Sequence, residues 1–455
     1  MKFSKTLLSV AVTSALLSAC GGGSGSSDST DSSSTSSTTM GRISGFGSVI
    51  VNGVHYDVEG AAVTSDGVSI TEADLKVGMI VRVKGQNNGD GTGSAISLSF
   101  DDDLEGPVSS VDLTNKQFVV LGQTVKVNAS TVFDDLTFDT LAVGTVVEVS
   151  GFFDSTRNLQ ASLVEKSDST EFEVKGLISE LNTANETFRL GGLTVSYTGA
   201  KLEDIDALAD GLFVEAKTSQ PLVNGVLVAE EIEGENEGVD AEEGEEIEIV
   251  GLITNFSSDG FAVNGQRVRV VASTEFDEGS VTSLADDVKI EVEGQVDANG
   301  ILVAQEISFE QESQIEVEAS LDAVGTTSIT VLGREFRVTD RTFFKDESLL
   351  NDQFLNLEKL LSGQWVEVDA YQAADGTLVA TSIERQEAES GESASLGGPV
   401  EESAEPNFNI IGITVTTDGS TSFEGLFPQV GDLAEAEGNL TADGVFLAES
   451  VEQED

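Results

Sequence analysis

Cys20 is the only cysteine among 455 residues, and it closes the string Leu16-Leu17-Ser18-Ala19-Cys20. A thiol behind a short apolar run and small residues is the pattern of a lipobox, in which the sulfur takes a diacylglycerol and the peptide before it is removed. Lys2 and Lys5 supply a basic start, and Leu7 to Leu17 supplies an apolar stretch too short to span a bilayer as a helix. Residues 1–19 are therefore expected to be a lipoprotein signal peptide, with Cys20 the lipidation site. One acyl chain holds a protein only reversibly, so stable anchoring needs the several that such a cysteine carries. Residues 20–40, almost all Gly, Ser, Thr and Asp, read as a flexible tether.

Little else in the chain has the makings of a reaction centre. His55, the sole histidine, lies between Val54 and Tyr56 with no ligand cluster or acid–base partner near it in sequence, as an ordinary strand residue would. With one histidine, and the thiol given to lipid, soft-metal sites and His- or Cys-based catalysis lack raw material. Ser and Thr are many, but no nucleophile-elbow or lysine-dyad motif accompanies them. Carboxylates abound, yet a glycosidase pair also needs a cleft, which small filled barrels seldom supply. No catalytic residue is assigned, and no enzyme activity is expected.

Asn88-Gly89-Asp90-Gly91-Thr92-Gly93 has some of the spacing of a calcium loop, but it opens on Asn and carries Ser99 where the bidentate Glu belongs. A hairpin turn is the simpler reading. Asp90, with Asp101, Asp102 and Asp103, is the candidate ligand set for Ca2+, and no other cofactor is expected. Trp365, the sole tryptophan, is the one aromatic available to a glycan-binding platform, although it starts a core-like strand.

The elements that must position these residues are set by charge and repetition. Lys and Arg number 23 against 81 Asp and Glu, a formal net charge of −58, and losing residues 1–19 removes two lysines and no acid, leaving −60. Such a surface repels nucleic-acid phosphates and anionic lipid, attracts cations and favours a soluble monomer. Nucleic acid is excluded as a partner on this ground. Apolar residues at 39% are too many for a disordered chain, and 47 glycines suggest many tight turns.

A strand-like phrase recurs six times at intervals of 66 to 76 residues. It is clearest at Val77 to Gly85 and Val143 to Gly151, with weaker copies from Asp210, Asp287, Gly363 and Gly431. In the second copy Gly106-Pro107-Val108 opens a strand, Gln117 to Leu121 makes another, and Gly122-Gln123 turns the chain. Thr124 to Val127 then runs back, Thr131 to Leu141 connects, and Val146 to Val149 and Ala161 to Val164 finish the unit. Asn52-Gly53 and Asn264-Gly265 suit two-residue hairpin turns, where both positions need positive φ. Ser69-Ile70-Thr71-Glu72 has capping-box spacing and predicts a short helix before Leu75.

Three strands, a short helix or loop, then two strands is the element order of a five-stranded OB-like barrel. An SH3-like barrel or a short β-sandwich shares it. The predicted fold class is all-β, with about six tandem barrels at residues 41–104, 105–168, 171–234, 247–312, 313–386 and 395–455. Linkers are expected at 235–246, which is acidic, and at 387–394. Glu230 to Glu248 holds eleven acids and no base, so it should self-repel and extend. Barrel closure would remove edges through which adjacent copies could otherwise pair. The expected assembly is beads on a somewhat flexible string, with copies one and two closely joined through Asp101-Asp102-Asp103.

The opening Gly41-Arg42-Ile43-Ser44-Gly45-Phe46-Gly47-Ser48-Val49-Ile50-Val51-Asn52-Gly53-Val54 resembles the start of the repeats grouped as Domain of Unknown Function 5666. Asp74-Leu75-Lys76-Val77-Gly78-Met79 and Leu121-Gly122-Gln123-Thr124-Val125 resemble it too. The likeness fades through copies three to six: Lys217 stands where the third should have its closing Gly, and Ala434 and Ala436 replace core Val in the last. The resemblance implies tandem modules in bacterial envelope lipoproteins and brings neither activity nor site residues. Gly21 after Cys20, rather than Asp, is similar to lipoproteins sent to the outer membrane. The function expected is thus a non-enzymatic outer-membrane lipoprotein, a spacer, scaffold or adhesion module facing the periplasm or the outside. Its partners would be the membrane, through Cys20, and an envelope protein or polysaccharide. Divalent-cation binding and glycan binding are the alternatives.

Overall fold

The computed structural model describes residues 37–454 except 129, 312, 340, 351, 353, 374 and 388–392. The expected signal peptide, Cys20 and the tether up to residue 36 lie outside the described residues. Alternating polarity sets the strands. In repeat 2, Leu104–Asp112, Gln117–Val120, Gln123–Lys126, Val146–Phe153 and Leu159–Lys166 are strands one to five. Phe118, Val120, Val125, Val147 and Val149 turn inward and are fully buried. Strand one pairs with two, two with three, three runs parallel to five, five pairs with four, and four returns to one. This closed order, 1-2-3-5-4-1, is an OB-like barrel. The other five repeats close through the same set of pairings.

The connector holds more structure than the sequence suggests. Val132–Asp134 adds a short strand parallel to strand five. The helix before Leu75 is a single 3-10 turn, Glu72–Asp74. Its cap is Thr71, whose N and Oγ1 donate to Asp74 Oδ2 at 2.9 and 2.7 Å, two residues beyond the predicted start at Ser69. The hairpin turn between strands two and three takes positive φ at both positions, 51° and 81° at Asn52-Gly53. Asn52 Nδ2 also donates to Met40 O at 3.2 Å, and Asn264 Nδ2 to Val250 O at 2.8 Å.

Strands four and five slip register at Gly85, Gly151, Gly294 and Gly438. A Cβ at any of these would lie 2.0 to 2.3 Å from a carbonyl oxygen across the ladder. Ala370 takes the place in repeat 5 with the strands continuous. In repeat 3 the register assigns it to Thr218, one residue past Lys217, and strand five is broken into Val226–Val228 and Glu231–Gly234.

The barrels are not beads on a string. Strand one changes partner midway: in repeat 2, residues 104–107 of strand one face strand four, and 108–112 face strand two. Its first half therefore keeps one open edge, and open edges invite strand addition. Three seams close these edges. Leu104 and Glu105 pair with Val174 and Glu173 of repeat 3, and Glu316, Val317 and Glu318 pair with Gly397, Leu396 and Ser395 of repeat 6, both antiparallel. Ser37–Met40 runs parallel to Glu246–Ile249 of repeat 4. Leu104 faces Val174 and Val317 faces Leu396, equivalent places in each copy, so these two seams have local two-fold character.

Repeats 2 and 3 share one hydrophobic core, as do 5 and 6, whereas 1 and 4 keep their own. Sharing answers the weakness of a unit of about 60 residues, which alone buries only about 60% of its unfolded surface. Two stretches read as linkers join in. Ser37–Met40, within the stretch read as tether, is the largely buried start of repeat 1. The acidic stretch is pinned by an Arg157–Glu237 ion pair, by Lys84 Nζ to Asp240 O at 3.0 Å and by Thr38 Oγ1 to Glu245 Oε1 at 2.6 Å, with Val239 buried. Its self-repulsion yields to bases supplied by neighbouring barrels. Repeats 1 and 2 do meet closely: Lys76 bridges Asp134 and Glu165, and Val132 and Leu163 enter the core of repeat 1.

Candidate functional site

A cavity of about 160 Å³ lies where repeats 1 to 4 converge, and its wall gathers Arg82, Arg157 and Lys175 with Asp101, Asp103 and Glu237. Strand four of repeat 1 (Ile80–Asn87) carries Arg82, and strand one of repeat 3 (Phe172–Asn182) carries Lys175. Arg157 stands on the turn between strands four and five of repeat 2, and the aspartates on the link between repeats 1 and 2. The Arg157 guanidinium lies 4.6 Å from the Phe153 ring centre and 5.6 Å from that of Phe213. Lys175 is buried, with Nζ 3.6 Å from Glu215 Oε1. Asp103 Oδ2 accepts from Gly151 N at 3.0 Å, and burial pushes this carboxyl up to about 6. Asp102 is also buried and raised, first by burial and then by the nearby Glu148 carboxylate. Arg82 Nε and Arg157 Nη2 are buried without hydrogen-bond partners. Buried charge is costly unless paired: Lys175 finds Glu215 within repeat 3, whereas the Arg157–Glu237 pair ties repeat 2 to the stretch that follows repeat 3. Among the described residues, the cavity wall sets no nucleophile against a hydrogen-bonded base.

The residues singled out in sequence go to separate places. Asp90 lies in the exposed turn between strands four and five, where Oδ1 accepts from Thr92 N at 3.1 Å and Thr92 Oγ1 at 2.6 Å. Those bonds hold its carboxyl below the usual range. Asp101, Asp102 and Asp103 are at the junction instead, and none of the four belongs to a described cluster of three carboxylates close enough to share an ion. His55 Nδ1 is 3.2 Å from Ser48 Oγ, and among the described residues no carboxylate bonds its ring. Trp365 is half-buried against the shared core of repeats 5 and 6, with Nε1 donating to Glu318 Oε1 at 2.8 Å, so it offers no open platform.

Clusters that the sequence did not reveal lie at the seams: Glu248 with Glu291 and Glu293, Asp66 with Glu173 and Glu215, and Glu316 with Glu367 and Asp369. Their signal was present in the recurring phrase, which carries Glu148, Glu215, Glu291, Glu367 and Glu435 at the outward place of strand four. Outward ordinarily means solvent. Edge pairing covers that face, and burial, its largest cause, pushes Glu173, Glu291 and Glu367 each up to about 8. Lys217 partly compensates one cluster, 3.2 Å from Glu173 Oε2 and 2.9 Å from Glu215 Oε2.

Among curated proteins none matches this chain. A similar solved structure is a multidomain protein with nucleic acid binding domains from Streptococcus pneumoniae, 11% identical, covering 46% of this chain and 72% of that one with a TM-score of 0.11, too slight a likeness to carry an argument. The chain belongs to the family described as Domain of unknown function (DUF5666), whose pattern it carries six times, once per barrel, over residues 40–98, 105–165, 175–233, 250–308, 316–384 and 397–452.

Proposed function

We propose that the protein is a non-enzymatic scaffold of the cell envelope, a body of paired barrels held on the outer membrane by lipid on Cys20. The observation that carries this reading is the use of the open strand-one edges, which are spent on internal seams that join the repeats two by two. The buried charges support it as well, since they gather where barrels meet. A net charge of −58 turns such a body away from phosphates and toward cations. Its partners are then an envelope protein or polysaccharide, met directly or through bound cations, and the body itself is monomeric.

Labelled palmitate tests the anchor: the native chain takes up label and Cys20→Ser does not. Crosslinking of the full chain in its own envelope is expected to return a small, reproducible set of neighbours. Turnover of ester, glycoside or phosphate substrates by the purified protein would overturn the scaffold reading.

A further inference from the structure

The parallel seam between repeats 1 and 4 differs from the other two in how its carboxylates are compensated. Strand one of repeat 4 (Glu246–Ser257) carries Glu248, and strand four (Lys289–Val296) carries Glu291 and Glu293. Glu248 lies opposite Glu293 in the ladder, and Glu291 is on the same face two residues away. One carboxylate oxygen from each of the three lies within 4.8 Å of the other two. Glu248 and Glu291 are only 6% and 3% exposed. Across the seam Glu248 pairs with Thr39, whose Oγ1 is 2.6 Å from Tyr56 Oη.

Nearby groups do not satisfy this cluster. Arg341 of repeat 5 reaches Glu291, with Nη2 2.7 Å from Oε2. Asn87 Nδ2 donates to Glu248 Oε2 at 3.3 Å, but Glu248 Oε1 is buried with no hydrogen-bond partner. A buried, unpaired carboxylate oxygen is among the costlier features a fold can carry. The cluster of Asp66, Glu173 and Glu215 also leaves Glu173 Oε2 and Glu215 Oε1 without hydrogen bonds, but there two lysines, Lys175 and Lys217, stand within 2.9 to 3.6 Å of the glutamates; at the third seam Ser382 Oγ donates to Asp369. Three oxygens this close could all lie at about 2.3–2.6 Å from one Ca2+. An all-oxygen set without nitrogen or sulfur selects hard cations over zinc or copper.

We propose that Glu248, Glu291 and Glu293 bind a hard divalent cation of the Ca2+ class, which locks the parallel seam joining repeats 1 and 4. All three ligands stand on repeat 4, so the ion acts on the seam by neutralising the charge that Arg341 leaves over on the strand paired with Ser37–Met40. Water completes its coordination on the side of Glu293, which is exposed. This inference goes beyond the scaffold reading and is tested separately from it.

The test is calorimetric titration of the full mature chain with CaCl2 in about 0.15 M NaCl, where diffuse binding to surface acids is screened. One saturable site per chain is expected, with Kd of about 10⁻⁴–10⁻³ M or tighter. Glu248→Gln should weaken it at least about tenfold, while Glu72→Gln, an equal charge change at an exposed residue, leaves it unchanged. Glu293→Gln provides the same reading should the buried substitution disturb folding. Hydrogen exchange gives the second measure: Ca2+ should slow the amides of Ser37–Met40 and Glu246–Ile249 more than those of the other seams. Titrations of wild type and Glu248→Gln that superimpose, binding heat that salt abolishes, or exchange at the seam indifferent to Ca2+ would each overturn the proposal.

Discussion

At Gly294 the ladder leaves room for little more than a hydrogen, because a Cβ there would lie 2.1 Å from Val303 O. The bulge at this place turns strand five so that the barrel can close, and bulges of this kind are specified features of a sheet. Ala370 shows that one carbon can be absorbed, and Thr218 coincides with a broken strand five. Gly294→Ala should therefore cost about 1–3 kcal/mol, the usual range for overpacking, with Gly294→Thr worse. Hydrogen exchange along Lys289–Val296 and Leu302–Phe309 would report it; full protection of both strands in the Thr variant would contradict the steric argument. The glycines at 85 and 151 were legible as the end of a recurring phrase, but the reason for them was not, since it lies in a carbonyl across the ladder. Leu121, Leu332 and Ile411 were less legible still. They hold positive φ of 44°, 49° and 45° in turns where Asn-Gly would be the recognisable choice, and they are kept there by burial.

Strand one was read as an ordinary barrel strand, and the order of five strands per barrel was legible from alternation alone. Its seam was not, because hydrophobic period says which face is inward and nothing about which edge is occupied. The outward glutamates of strand four show the consequence. Glu367 is pushed up to about 8 and Glu384, across the ladder, to about 7, both chiefly by burial. Unfolded, each returns to about its ordinary 4.5. Between those values the folded chain holds protons that the unfolded chain has lost, so stability is highest at the acid end of the window and drains as pH rises through 7 and 8. Asp346 works in the opposite sense: although burial opposes it, hydrogen bonds led by that from Arg385 hold it at about 2, and its contribution is lost only as pH falls from 3.8 toward that value. The melting temperature should accordingly be higher near pH 5 than near pH 8.5 in chelator and moderate salt. Glu367→Gln should narrow that difference, whereas Glu358→Gln, at an exposed residue, should leave it as it was. A native protein more stable at pH 8.5 would contradict this account of the seams.

At the scale of the whole molecule the scarcity of bases becomes informative. With 23 Lys and Arg against 81 acids, where they stand decides what self-repulsion can separate. Many of them reach between repeats. Arg42 lies 4.6 Å from the Phe343 ring centre of repeat 5 and donates to Ser130 O of repeat 2 at 2.9 Å. Lys76 joins repeats 1 and 2, Arg341 joins 5 to 4, and Lys289 lies 5.5 Å from the Phe152 ring centre of repeat 2. Lys84 and Arg157 hold the acidic stretch between repeats 3 and 4. That stretch composition read as an extended tether, which is right for eleven acids in isolation and wrong once other barrels supply cations. The two pictures differ in what a protease meets. An extended linker would be cut first, because proteolysis follows local opening. A pinned one should survive, although residues 235–246 offer a Glu-specific enzyme several sites. Limited digestion of the native chain should therefore leave this stretch intact until the barrels themselves are cut. Arg157→Ala, which removes the ion pair to Glu237 and the stacking on Phe153, should make it the first site. Early cleavage there in the native protein would return the molecule to independent beads, and would mean that the parallel seam of repeats 1 and 4 opens as readily as the stretch that leads to it.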